Sequence, residues 1–334
     1  MTDECITRNF SLLNRSNSGG SSNGQTKSNR SSIVDNTDAK GCMEGSSGGA
    51  TGTGITSASA APASINKYVA RMPVDRYASE YNMNHKYRGQ AIIFNHEFFD
   101  IPSLKSRAGT NVDAEELRKA LKSLGFDVSV HKDCKLRDIL KYIDKAASLD
   151  HTDNDCIAIA ILSHGEHGYI YAKDVQYKLD AIWHYFTAHI CPTLAGKPKL
   201  FFIQACQGDR LDAGVMLEKN GVTETDGESS MSYKIPIHAD FLFSYSTIPG
   251  YFSWRNTTNG SWYMQSLIQE LNTNGKKYDI LTLLTFVSQR VAIDFESNVP
   301  STPLMDRQKQ IPCVTSMLTR ILRFTDKPSA NKAG

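Results

Sequence analysis

Cys206 stands in Gln204-Ala205-Cys206-Gln207-Gly208, directly after the apolar run Leu200 to Ile203, and His164 belongs to a Ser163-His164-Gly165 turn that ends another apolar run, Ile157 to Leu162. A thiol and an imidazole are thus both offered at strand ends. A cysteine with an unperturbed pKa of about 8.5 is mostly protonated at neutral pH and becomes a useful nucleophile only beside a base or a cation. Histidine can give that help near physiological pH. The 42 residues between them (206 − 164) exceed one turn or one helix, but they fit neighbouring strands of an open sheet joined by a crossover. Such sheets hold their substrates at the strands' carboxyl ends. If Cys206 attacks a carbonyl, the backbone N–H groups of Gly165 and Cys206 are the nearest candidates to stabilise the oxyanion. Gly165 lets the main chain approach substrate without a side chain in the way, and Gly208 gives the nucleophile's turn similar freedom. His164 would then protonate the leaving amine and activate water. A competing reading takes His164-Gly165-Glu166-His167 as a metal-binding H-x-x-H. It lacks the i, i+4 helical spacing of a zincin site, and no thiol pair completes four ligands.

The elements that must carry these groups alternate. Gln90 to Asn95 reads as a buried strand, followed by an irregular loop. A helix follows, with Thr110 or Asn111 as its cap and Asp113, Glu115 and Glu116 near its start; Leu117, Ala120, Leu121 and Leu124 form its apolar face before Gly125 stops it. Phe126 to Val130 is a short alternating strand, and Leu136, Ile139, Leu140, Ile143 and Ala147 stripe a second helix. Cys156 to Leu162 and Lys199 to Gln204 are further strands, separated by a segment around Trp183 to Phe186. This order marks an α/β fold: an open, mostly parallel sheet with helices on both faces. Gln207 to Met231, acidic and weakly apolar, reads as a long exposed connection. Phe241 to Tyr245, helices at Trp262 to Leu271 and Ile280 to Val291, and a strand at Ile311 to Met317 then complete the same sheet.

Bulk properties narrow the class. The 334 residues are 40% hydrophobic and 22% charged with a net charge of +2, which allows a sizeable core and gives no support for nucleic-acid or membrane-surface binding. Seven scattered cysteines without a C-x-x-C pair fit a reducing compartment, so a cytoplasmic address is expected. No apolar run suggests a signal peptide or a membrane span. Residues up to about Ala63, rich in Ser, Gly, Asn and Thr, are expected to be a disordered leader.

Gln204 to Gly208, with an upstream histidine at the right distance, matches the signature Gln-Ala-Cys-(Arg/Gln/Gly)-Gly of the caspases. The resemblance extends from about Lys67 to Phe324 and includes Ser106-Arg107-Ala108-Gly109-Thr110-Asn111-Val112-Asp113 and Tyr251-Phe252-Ser253-Trp254-Arg255-Asn256, then Gly260-Ser261-Trp262. It implies a caspase-like six-stranded sheet and a cysteine endopeptidase that cuts after aspartate in acid-x-x-Asp sequences, with no cofactor. By the same resemblance His164, Gly165 and Cys206 are catalytic, and Arg107, Gln204 and Arg255 line the pocket for the aspartate. Two guanidiniums can clamp one carboxylate through forked, charge-assisted bonds, although from the residues alone a surface ion pair is the preferred reading of either arginine. Phe252 and Trp254 are implied to form an apolar rest for the next residue and Ser253 to contact substrate. Asn256 and Trp262 are implied to shape a pocket for an acid three places upstream, with core packing as the alternative. Gln207 stands where many relatives have Arg.

An enzyme with this preference invites a search for its own cut sites. Asp38, Asp212 and Asp226 each end an Asp/Thr-x-x-Asp tetrapeptide in a segment expected to be exposed. The expected organisation is a prodomain over residues 1–38, a large catalytic subunit over 39–212, a linker over 213–226 and a small subunit over 227–334. The lack of a helical recruitment domain makes the resemblance closest to insect executioner caspases. That implies an apoptotic zymogen cut by an upstream caspase, a homodimer of two large and two small subunits, and inhibitor-of-apoptosis proteins as partners through a freed Ala39. A catalytically silent caspase-like scaffold is the alternative function.

Overall fold

The computed structural model describes residues 72–214 and 236–327, all within the compact unit Ser64–Gly334. The leader, with Asp38 and Ala39, and the connection around Asp226 lie outside the described residues. The apolar runs become strands. In chain order the elements are β1 (Gln90–Asn95), helix α1 (Thr110–Ser123), β2 (Asp127–Lys132), α2 (Leu136–Ala147) and β3 (Ile157–Leu162). Three short strands follow, β4 (Gly165–Glu166), β5 (Tyr169–Tyr171) and β6 (Gln176–Tyr177), then the single-turn helix α3 (Asp180–Trp183) and β7 (Lys199–Gln204). The second half supplies β8 (Phe241–Tyr245), the hairpin strands β9 (Arg255–Asn256) and β10 (Gly260–Ser261), helices α4 (Trp262–Asn274) and α5 (Ile280–Asp294), and β11 (Cys313–Ser316).

The main sheet has the order β11-β8-β7-β3-β1-β2, parallel throughout except for antiparallel β11. β3 and β7 are buried along their whole lengths, as strands covered on both faces must be. Alternate residues serve opposite cores. Ala158, Ala160, Leu200 and Phe202 join Leu117, Leu121, Leu267 and Leu283 of α1, α4 and α5 on one face. Ile157, Ile159, Phe201 and Ile203 meet Ile139 and Ile143 of α2 on the other. Each fully buried Leu, Ile or Phe among these favours folding by about 1.5–3 kcal/mol of transfer free energy. From β1 the chain steps outward to β2 and returns on the far side of β1 as β3. The topology therefore reverses between β1 and β3, which is where open α/β sheets leave a crevice beyond their carboxyl ends.

Two expectations need correction. α1 is capped by neither Thr110 nor Asn111: Gly109 is its N-cap, with φ 90° and no side-chain bond. A Cβ there would lie 2.7 Å from the Asn256 carbonyl oxygen, so glycine lets this helix start press against the β9–β10 hairpin. Nor is the start of the long connection a free loop. Residues 207–212 are laced to 247–252 and to Lys309 by the backbone bonds Gln207 N–Tyr251 O (3.0 Å), Gly250 N–Gln207 O (2.7 Å), Arg210 N–Gly250 O (2.9 Å), Phe252 N–Arg210 O (2.9 Å) and Lys309 N–Asp212 O (2.8 Å). Once they leave the sheet, these backbone groups still need partners, and a second loop supplies them.

Candidate active site

Register brings the thiol and the imidazole together. Leu162 of β3 pairs with Gln204 of β7, so His164 and Cys206 each stand two residues beyond the same rung of the ladder. The Ser163 amide donates to the Gln204 carbonyl at 3.0 Å and keeps the two exits side by side. Both residues open onto one cleft of about 230 Å³, with Arg107, Ser163, Gln204, Ala205, Phe252, Ser253, Trp254, Arg255 and Met305. His167 is exposed and lies outside that cleft, and among the described residues no group of three or more His, Cys, Asp or Glu side chains could hold a metal ion.

Three loops fix the details. The Cys206 sulfur accepts from the Ser253 amide at 3.3 Å and lies 3.7 Å from the Ser253 carbonyl oxygen, so the loop carrying Phe252 to Arg255 is fastened to the thiol. His164 Nε2 bonds to the Lys105 carbonyl at 2.8 Å, and Phe99 packs on its ring at 5.0 Å between centroids. No hydrogen bond joins the thiol to the imidazole in this resting geometry. Gly165 cannot carry a side chain, because a Cβ would lie 2.4 Å from the Cys206 carbonyl oxygen. The neighbouring amides are committed, Ala205 N to the Ser246 hydroxyl and Gln207 N to the Tyr251 carbonyl, while among the described residues the Cys206 amide donates to nothing. A free donor beside the sulfur is what a developing oxyanion requires.

The cationic wall comes from both halves of the chain. Arg107 is 3% exposed and directs Nη1 to the His96 carbonyl (2.9 Å) and the Thr110 hydroxyl (2.8 Å). Arg255 bonds to the Ala108 carbonyl. Burial, then the neighbouring Arg255 charge, pushes Arg107 down to about 9, which still leaves it a cation at neutral pH. Burial also lowers Arg255. Gln204 donates from Nε2 to the Ser253 hydroxyl at 2.7 Å and leaves Oε1 buried without a partner. The opposite amide orientation has the same shape; it lets the Ser253 hydroxyl donate to Oε1 and turns Nε2 to the cleft, the polarity a carboxylate needs. The same burial acts on the reacting pair. It pushes the Cys206 thiol up, against the Ser253 backbone bond and the two arginines, and it pushes His164 down to about 4, with Arg107 and Arg255 adding to the effect.

Asn256 and Trp262 stand apart from the cleft surface. Asn256 is exposed and accepts the amides of Thr258 (2.8 Å) and Asn259 (2.9 Å), shaping its own hairpin. Trp262 is buried behind Trp254, stacked on it at 5.7 Å and on Phe295 at 5.5 Å. Sequence reasoning missed Lys105, Phe99 and Met305. Lys105 acts through its carbonyl, which any residue type possesses, and Met305 reaches the cleft from beyond α5 with no local signal.

A family model described as the caspase domain matches residues 88–323. Caspase-1 of Drosophila melanogaster is 75% identical over 338 aligned residues that span both chains entirely. The crystal structure of caspase-1 from Spodoptera frugiperda superposes with a TM-score of 0.73 at 62% identity, covering 78% of this chain and all of that one. The structure of its pro form gives 0.62 at 64% identity, over 78% and 98% of the two chains.

Proposed function

Since the chain belongs to the caspase family, we propose that its cleft cuts peptide bonds after aspartate, with Cys206 as nucleophile and His164 as the proton carrier. The protein is a cysteine endopeptidase of apoptosis, made as a zymogen and acting on protein substrates. One observation supports the residue assignment above others: the sulfur and the imidazole leave adjacent strands at one level, beside two guanidiniums that reach the same cleft from opposite halves of the chain.

The reaction follows from that arrangement. Arg107, Arg255 and the amide of Gln204 hold the aspartate side chain, which fixes the carbonyl to be cut over Cys206. His164 takes the thiol proton as sulfur attacks, and the amides of Cys206 and Gly165 receive the oxyanion. The imidazolium then protonates the leaving amine, and the neutral ring activates water against the thioester. Phe252 and Trp254 offer an apolar rest to the preceding residue and Ser253 a main-chain contact; Asn256 and Trp262 act on substrate indirectly, through the hairpin and through Trp254. A silent scaffold is not favoured, because nucleophile, base and both arginines are all present.

Activation is proposed to begin with scission after Asp226, with Asp212 and Asp38 as further sites. The active form is a homodimer in which each unit has a large and a small subunit; β11 bonds only to β8 among the described residues and leaves an edge open for that purpose. Capture of a freed Ala39 terminus by inhibitor-of-apoptosis proteins belongs to the same proposal. No helix among the described residues is long and apolar enough to cross a membrane, and the enzyme is proposed to work in the cytoplasm.

The test is hydrolysis of an Asp-Glu-Val-Asp reporter by the purified, cut protein. Its Asp-Glu-Val-Asn counterpart should be slower by about 10⁴-fold, because a neutral side chain strands the buried Arg107 and the half-buried Arg255. Cys206→Ala should abolish both signals. Equal rates on the two reporters would refute the cationic pocket.

A further inference from the structure

Asp113, the last residue of the Ser-Arg-x-Gly-Thr-x-x-Asp segment, takes no part in the reaction as derived so far. It lies in the first turn of α1 and is 1% exposed. Both its oxygens are occupied by one residue across the boundary with the hairpin. The Ser261 amide donates to Oδ1 at 2.9 Å and to Oδ2 at 3.1 Å, and the Ser261 hydroxyl donates to Oδ2 at 2.7 Å. Gly260 makes the approach feasible, since a Cβ there would lie 2.1 Å from Oδ1. Among the described residues no ion pair or hydrogen bond joins Asp113 to Arg107 or Arg255. Its charge nevertheless acts on both, favouring the cationic form of each.

We propose that Asp113 is a positioning residue of the aspartate pocket: a built-in counter-charge that Ser261 holds away from Arg107 and Arg255, so that neither guanidinium is paired with a carboxylate until the substrate's arrives. This deepens the protease reading and rests on it. The buried Arg107 and the half-buried Arg255 repel each other and lose hydration, so an acid nearby offsets part of that cost. An acid in direct contact would also fill the site meant for substrate. Saturating Asp113 with the donors of Ser261 separates the two effects, because the charge acts through space while the hydrogen-bonding oxygens are already in use. The placement also ties pocket to fold, since Asp113 and Arg107 come from the α1 region, whereas Ser261 and Arg255 come from one hairpin.

The experiment is a double-mutant cycle on the cut enzyme, reading kcat and KM with the Asp-Glu-Val-Asp reporter. Ser261→Ala removes the 2.7 Å hydroxyl bond and leaves Oδ2 only the longer amide contact, so that oxygen can compete for the arginines and KM should rise by up to about tenfold, the scale of one charge-assisted hydrogen bond, while kcat changes less than about twofold. Adding Asp113→Asn to that variant removes the competitor and should bring KM back toward the wild-type value. A merely structural contact predicts the reverse, a double variant no better than Ser261→Ala, and that outcome overturns the proposal. If Ser261→Ala does not fold, the near-isosteric Asp113→Asn alone decides: without the counter-charge Arg107 loses its proton at less alkaline pH, so KM should rise more between about pH 7 and 9 than it does in the wild type while kcat changes less, and a KM profile equal to the wild type's overturns the proposal. A wild-type enzyme that fails to cut the reporter would instead sink the protease reading itself.

Discussion

Burial favours a neutral Cys206 thiol and a neutral His164 imidazole, the proposed reacting pair, raising the one and lowering the other to about 4. Substrate changes that balance. Arg107 and Arg255 are among the groups that hold His164 down, and a bound carboxylate offsets their charge. Since kcat/KM reports the free enzyme and kcat the complex, the acid limb of kcat should lie at higher pH than that of kcat/KM. The sign follows from the imidazole: a lowered pKa means that protonation sets in only at more acid pH, and relief of the lowering brings it back toward neutrality. Rate profiles on the Asp-Glu-Val-Asp reporter from about pH 3 to 8 measure both limbs. A kcat limb at or below the other would contradict the coupling between pocket and base. At this scale the sequence singled out side chains that the fold brings to one cleft, as Cys206, His164 and Arg107. It hid what acts through main chain or shape, such as the Lys105 carbonyl, the Phe99 ring and the Ser253 amide. Arg255 became visible only through its motif, since a lone arginine carries no sign that its partner lies 148 positions earlier in the chain (255 − 107).

Among elements, those with long period-specific runs emerged from the sequence nearly to the residue: β1, β3 and β7 are apolar strands and α2 an apolar stripe, patterns that burial itself imposes. The two-residue strands β4, β6, β9 and β10 did not, because no period can be read from two residues. The arm of residues 207–212 was misjudged for a related reason, as its polar composition matches a loop while its backbone is bonded like an edge strand. That arm orders the proposed cuts. A protease needs its substrate extended with free backbone groups. Around Asp212 the Arg210 amide and carbonyl and the Asp212 carbonyl are already engaged by Gly250, Phe252 and Lys309. Cleavage after Asp226 should therefore precede cleavage after Asp212. In a time course with an activating caspase, mass spectrometry should find the small subunit beginning at Gly227 before any fragment ends at Asp212. Appearance of the Asp212 terminus first would contradict this order.

Across the whole molecule, the proposed scission divides the chain but not the sheet. β7 on one side of the cut runs parallel and bonded to β8 on the other, from Lys199–Phe241 to Ile203–Tyr245. The far ends are clasped as well. Ile321 makes two backbone bonds across the division, accepting from the Tyr81 amide and donating to the Ser79 carbonyl. Below them Asp155, fully buried, holds Arg88 at 2.7 Å from one half and Lys327 from the other. Removing one member of a buried ion cluster leaves the remaining charges uncompensated, at a cost of about 3–5 kcal/mol. Asp155→Asn strands two cations at once, Arg88 and Lys327, whose other bonds are to neutral carbonyls such as Leu124 (2.9 Å) and His85 (2.7 Å). The cut wild-type protein should therefore elute from gel filtration with large and small fragments together, and urea should separate them only as the sheet itself unfolds. In the cut Asp155→Asn protein the fragments should part at clearly lower urea, with the loss larger than in Lys327→Met, where Arg88 and Asp155 still pair. Equal midpoints for wild type and Asp155→Asn would mean that the shared sheet alone joins the halves and that the buried cluster contributes nothing to their cohesion.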